Sequence, residues 1–380
     1  MKKIYFPGLN GVRFIAAFLV MLDHTELFKS YFGYETLWDN SYSSFLGASG
    51  VTIFFVLSGF LITYLLISEK QNDSINIKNF YIRRVLRIWP LYYLILIIGF
   101  FLVPHFDFLY VPQYTTDMGQ YTVRLILFSG LLANVAFVYF PTVAFANILW
   151  SVAVEEQFYL IWPLVVKYSK KLLSIILMLI AVYIAIKLWT IIAFPNSKIN
   201  ALIYRTRFSS MLIGGVGAYI VNKQHCILNF LYNRLIQMII IFTFITLLAD
   251  VFHPKYFNLI SAEFFSIVVC CLIVNIATNK NSILKLESKW FNYFGEISYG
   301  LYVYHLFAVI LTIKFLPNIL GFKNLSGPIE YSTTIIMILL LTTLLSHISY
   351  RFFERPVLRK KLKFTSIISG DLVKTQPNNV

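Results

Sequence analysis

"LNGVRFIAAFLVMLDHTELF", residues Leu9 to Phe28, is apolar enough to enter a bilayer, yet it carries Arg13, Asp23 and His24. Arg13 and His24 are eleven residues apart. In an α-helix that separation is about 16.5 Å along the axis and about 1,100°, within about 20° of three full turns, so both side chains share one face. Ionisable groups in membrane helices face a bundle interior or a water-filled cavity and mark a pathway or a site. The bland alternative is that Arg13 snorkels to the headgroups and His24 is a satisfied structural residue near the outer interface.

The whole chain suits lipid better than water. Of its 380 residues, 58% are hydrophobic and only 13% charged, with mean hydropathy +0.73; an ordinary soluble domain carries roughly 25% charged residues. Eleven apolar stretches follow one another: 9–28, 46–68, 86–104, 123–140, 148–166, 172–194, 208–222, 235–251, 259–277, 295–316 and 331–352. Eleven crossings would put the basic N-terminus "MKK" and the basic "RFFERPVLRKKLK" on opposite faces, against the positive-inside rule. Stretch 123–140, with Ser129, Asn134 and then Pro141, is therefore read as interfacial or re-entrant. Ten spans remain. Twenty-two Lys and Arg then fall in cytoplasmic segments and eight in outer loops, with Arg13 and Lys187 inside spans. The fold expected is an all-α polytopic bundle of about ten spans, both termini cytoplasmic, with residues 1–356 as one membrane domain and 357–380 as a basic, then polar, loose tail.

The net charge of +15 is dispersed among short loops and makes no nucleic-acid stripe. Cys226, Cys270 and Cys271 lack any metal-ligand spacing, so no metal is expected. The basic start lacks a small-residue cleavage signal and reads as leading into a retained first helix.

Three more stretches carry polar chemistry. In "FYIRRVLRIWPLYYL", Arg84 and Arg87 are three apart and point one way, with Arg83 adjacent. Guanidinium forks suit phosphate oxygens, because they donate two parallel hydrogen bonds; anchoring to anionic lipid is the competing reading. In "NILWSVAVEEQFYLIWPL", Ser151, Glu155 and Tyr159 follow one stripe, while Glu156 faces about 100° away. A carboxylate among Trp, Phe and Leu is costly unless paired, either in a site or in a structural ion pair. In "GEISYGLYVYHLF", Ser298, Tyr302 and His305 share a face, with Tyr299 close by. That face suits a hydroxylated acceptor, and it equally suits interhelical hydrogen bonding.

Taken together, these pieces resemble the bacterial integral-membrane acyltransferase family three, which includes O-antigen and exopolysaccharide O-acetylases. The resemblance covers nearly the whole chain. It runs in family order through Arg13 and His24, "GVTIFFVLSGFLIT" at 50–63, Arg84 and Arg87, "WSVAVEEQFYLIWPL" at 150–164, "RFSSMLIGG" at 207–215, "SYGLYVYH" at 298–305 and "ERP" at 354–356. Thr52 and Ser209 depart from the family pattern, so no polar role is carried over to them. The resemblance implies ten spans in a bacterial cytoplasmic (inner) membrane and transfer of an acyl group, commonly acetyl, from acyl-CoA to a hydroxyl of a cell-surface or lipid-linked saccharide or another small molecule. It also implies a catalytic role for His24 and contact of the arginines with the CoA phosphates. An additional esterase-like domain, fused in some members, is not expected here.

The mechanism these expectations suggest places donor phosphates on Arg13, Arg84 and Arg87. His24 acts as general base on the acceptor hydroxyl, and Glu155 orients its imidazolium. Ser151, Tyr159, Ser298, Tyr302 and His305 line the acceptor's path. His24 could equally act as nucleophile, and spacing does not choose between the two. A proton-coupled transporter or flippase is the rival from another class, although no paired half-helices or internal repeat accompany the polar path. An acyltransferase on a non-saccharide acceptor is the other alternative.

Overall fold

A computed structural model describes residues 2–37, 40–72, 75–111, 120–141, 143, 145–249, 260–322, 325–365 and 367–369. Lys255, Lys323 and the tail from 370 to 380 lie outside the described residues. The chain forms a short strand β1 (Lys2–Ile4), then α1 (Leu9–Tyr31), α2 (Asn40–Asn72), α3 (Ile77–Ile97), α4 (Tyr121–Ser129), α5 (Ala133–Tyr139), α6 (Leu149–Tyr168), α7 (Leu172–Ala193), α8 (Lys198–Thr206) and α9 (Phe208–Asn222). There follow α10 (Ile227–Leu231), α11 (Arg234–Leu248), α12 (Ser261–Thr278), α13 (Lys289–Glu296), α14 (Ser298–Leu320), α15 (Pro328–Ser349), α16 (Arg355–Lys360) and β2 (Ile367–Ser369).

Among the described residues, six helices are long and apolar enough to cross a membrane: 45–72, 77–105, 172–193, 261–278, 298–320 and 328–364. The chain is a multi-pass membrane protein. Four of the stretches expected to cross fall outside the six, for two physical reasons. α1 and α6 have the length but carry charges; α9 and α11 have 15 residues each, about 22 Å of helix against a hydrocarbon core of about 30 Å.

The polar helix α1 stays inside the bundle, packed against α2, α12, α13 and α14. Two of its charges are matched locally. Lys29 Nζ lies 3.1 Å from Glu26 Oε1, both wholly buried, and the backbone N–H of Leu37 donates to Glu26 Oε2 at 2.7 Å. Lys187 and Glu263 pair at 2.8 Å across α7 and α12, and the Ser209 hydroxyl donates to the same carboxylate at 3.0 Å. Charge removed from water survives in the low-dielectric interior through such partners.

α2 packs closely on α9 because glycine lets the backbones meet. A Cβ on Gly214 would strike the Val56 carbonyl, and one on Gly59 would strike the Met211 carbonyl. The lipid-facing sides of α7, α11 and α15 expose Ile192, Phe242 and Leu340.

Stretch 123–140 is broken into α4 and α5 by Gly130 to Leu132, with Leu131 at φ 59°. Nine and seven residues are too short to cross. The carbonyls freed at the break are satisfied by side chains: Tyr92 donates to Phe128 O, Tyr93 to Ser129 O and Gln157 to Leu131 O, all within 2.9 Å.

The described part of the segment set apart as a tail from residue 357 is built into the bundle. α16 and the following turn pack against α3. Arg83 Nη1 donates to the Phe364 carbonyl at 2.9 Å. β2 then pairs in parallel with β1, Lys2 opposite Ile367 and Ile4 opposite Ser369. The two ends of the described chain therefore lie on the same side of the bundle.

Candidate active site

Four helix faces that the sequence marked as polar converge on one cavity of about 830 Å³. α1 contributes Arg13, α3 contributes Arg84 and Arg87, α6 contributes Ser151, Glu155 and Tyr159, and α14 contributes Ser298 and Tyr302. Eight of the ten candidate residues thus line a single chamber, although they come from four helices spread over nearly 300 positions.

Several of these side chains are held by neighbours. Arg13 donates to Asn10 Oδ1 at 2.7 Å. The Arg84 guanidinium lies over the Tyr159 ring, 5.9 Å from its centroid, and its Nε is buried without a hydrogen-bond partner. Tyr159 donates to Glu155 Oε2 at 3.0 Å, and Ser58 of α2 meets the same phenol oxygen. Ser151 Oγ and the Tyr302 hydroxyl are 2.6 Å apart. Glu156 turns away, as its 100° offset requires, and accepts from Trp89 Nε1 at 2.8 Å.

The remaining two candidates make a pair of their own. His24 Nδ1 lies 2.7 Å from His305 Nε2, and the rings stack with centroids 4.9 Å apart. His305 Nδ1 lies 2.7 Å from the Tyr302 carbonyl oxygen. A carbonyl can only accept, so His305 Nδ1 carries a proton and, in the neutral ring, Nε2 presents a lone pair. That lone pair accepts a hydrogen bond from His24 Nδ1–H, which leaves His24 Nε2 as the unprotonated nitrogen of the neutral ring. The tautomer of His24 is thereby fixed from behind.

This changes two expected roles. Glu155 does not reach His24; it holds Tyr159 instead. His305, expected on the acceptor's path, is wholly buried against His24 and does not line the cavity. His24 also stands outside the lining, connected to it through His305 and Tyr302, whose side chain does face the chamber.

The sequence reading missed the floor of the chamber. Arg351, Arg355, Arg359 and Lys361 line it as well, and had been counted only as topology signals. Glu296 and Glu354 are also in the wall. The charge run in "RFFERPVLRKKLK" was visible; where it folds back was not. Among the described residues, no three His, Cys, Asp or Glu side chains are grouped to hold a metal ion.

The family described as an acyltransferase domain matches residues 6–350. Three curated relatives, each a longer chain, match nearly all of this one. YrhL of Bacillus subtilis strain 168 is 26% identical over 93% of this chain and 55% of its own length. The O-acetyltransferase OatA of Staphylococcus aureus strain NCTC 8325 is 27% identical over 94% of this chain and 58% of its own. The peptidoglycan O-acetyltransferase OatA of Listeria monocytogenes strain EGD-e is 26% identical over 97% of this chain and 58% of its own. The chain therefore spans little more than half the length of these relatives. No solved structure matches it.

Proposed function

Because this chain belongs to the acyltransferase domain family, we propose that it is a membrane O-acyltransferase moving an acyl group, acetyl in the first instance, from acyl-CoA to a hydroxyl of a cell-surface or lipid-linked saccharide. The names of the two OatA relatives support the reaction class, and that of the Listeria protein supports a saccharide acceptor of the peptidoglycan kind. The observation that carries the reading is the single chamber with arginines at one end and a Tyr302–His305–His24 chain leading away from it.

In this reading α1, α6, α9 and α11 cross together with the six long apolar helices, giving ten spans in a bacterial cytoplasmic membrane. The parallel pairing of β1 with β2 supports placing both termini on the cytoplasmic face, beside the basic mouth.

The donor enters from that face. Arg13, Arg84 and Arg87 hold its phosphates, and the pantetheine arm carries the thioester towards Ser151 and Tyr302. The acceptor hydroxyl comes from the opposite side, where His24 presents Nε2. That nitrogen takes the hydroxyl proton as the oxygen attacks the thioester carbonyl. The new C–O bond forms, the C–S bond breaks, and the proton passes to the departing thiolate. His305 keeps His24 in the basic tautomer and shares the charge as the imidazolium develops. General base catalysis of this kind contributes about 10² to 10⁴ in rate.

The direct test incubates the purified protein in lipid nanodiscs with radiolabelled acetyl-CoA and muropeptide or glycan acceptors. The reading predicts label on the acceptor with release of CoA; acceptor movement across the membrane without label would support transport instead.

A further inference from the structure

The C-terminal segment forms the underside of the chamber, and one of its lysines sits where a lysine is costly. Lys361 is 6% exposed. Its charged neighbours are Arg84, Arg87, Arg83 and Arg13, all of the same sign. Arg83 is neutralised by Glu69 at 2.6 Å. Among the described residues, no carboxylate forms an ion pair with Lys361. A buried cation facing other cations is destabilising unless a negative charge is supplied.

Nothing loose holds it there. The Arg83 bond to Phe364 O and the Thr365 hydroxyl, which donates to Lys361 O at 2.8 Å, fix the backbone on either side of its turn. The β1–β2 pair anchors the chain beyond. Arg355 and Arg359, one helical turn apart on α16, line the same wall. The chamber as a whole presents seven Arg and Lys side chains against three carboxylates. That excess of four positive charges suits a nucleotide bearing a diphosphate and a monoester, about −4 near neutral pH.

We propose that residues Arg355 to Thr365 are a fixed strap completing the phosphate site of the acyl donor, with Lys361 as a direct phosphate ligand beside Arg84 and Arg87. This rests on the acyl-CoA reading above. The same chemistry could be met by an anionic lipid headgroup, so the test separates the two sources.

CoA binding and thermal unfolding are measured for the full chain in phosphatidylcholine nanodiscs, then with phosphatidylglycerol added, for wild type, Lys361→Met, Lys361→Arg and Arg87→Ala. Lys361→Met should weaken CoA binding about 10- to 100-fold, the usual cost of one charged hydrogen bond, while raising the melting temperature of the unliganded protein, because like-charge repulsion is relieved. Lys361→Arg should bind CoA within about threefold of wild type, since it keeps the charge. Unchanged CoA affinity in Lys361→Met alongside a loss in Arg87→Ala overturns the strap and leaves the donor reading standing. No CoA binding by wild type overturns both. A lower unliganded melting temperature in Lys361→Met identifies a structural prop and also overturns the strap, as does a lysine effect seen with phosphatidylglycerol and not with CoA.

Discussion

His24 and His305, 281 positions apart in the sequence, meet nitrogen to nitrogen at 2.7 Å, and the Tyr302 carbonyl behind His305 dictates which nitrogen of each ring holds a proton. The relationship fixes the tautomer of His24, as the proposed general-base role requires. Its consequences are kinetic. His305→Ala should lower kcat by about 10²-fold, the lower end of what general base catalysis supplies, with KM for acetyl-CoA changed by less than about threefold. Steady-state kinetics with both substrates varied checks this, and a matching loss of donor affinity would point to a packing role instead.

Glu155 and Tyr159 should show the opposite split. Glu155 lines the chamber, accepts from Tyr159 and lies among the charges of Arg84 and Arg87. Glu155→Gln weakens the charge-assisted bond that holds Tyr159, whose ring lies against Arg84; the displaced guanidinium should raise KM for acetyl-CoA by about tenfold, while kcat falls less than in His305→Ala. Equal or larger loss of kcat would return Glu155 to the role of orienting the imidazole.

Stability should depend on the pair between α7 and α12. Lys187→Met alone leaves Glu263 buried, with Ser209 as its remaining hydrogen-bond partner among the described residues, a change that costs about 3 to 5 kcal/mol when one partner of a buried pair is removed. The double change Lys187→Met with Glu263→Leu should recover most of that. Thermal inactivation in nanodiscs reads both, and a single variant as stable as wild type would show that the pair is solvated.

How much of this was legible in the sequence follows from the range of each signal. Helical periodicity reaches along one element, so the shared face of Ser151, Glu155 and Tyr159 and the outward turn of Glu156 could be read from spacing alone. That 123–140 does not cross was read from the parity of the basic ends, which Ser129, Asn134 and Pro141 permit, although nothing there showed that Tyr92, Tyr93 and Gln157 would cap the freed carbonyls. Contacts between distant elements leave no such trace. His305 was visible as part of a polar face, but its partner lies on the first helix; Glu155, the nearest carboxylate by chemical logic, was assigned the role instead. The basic run after Pro356 was read through the positive-inside rule, which counts charges and is blind to a chain that folds back under the bundle.

The proposed transfer depends on the imidazole of His24, which single-turnover acetyl transfer by His24→Ala probes when CoA binding is measured on the same preparation. Transfer to the acceptor should fall by at least about 10²-fold while CoA affinity stays within about threefold of wild type. Transfer at the wild-type rate in that variant would contradict it.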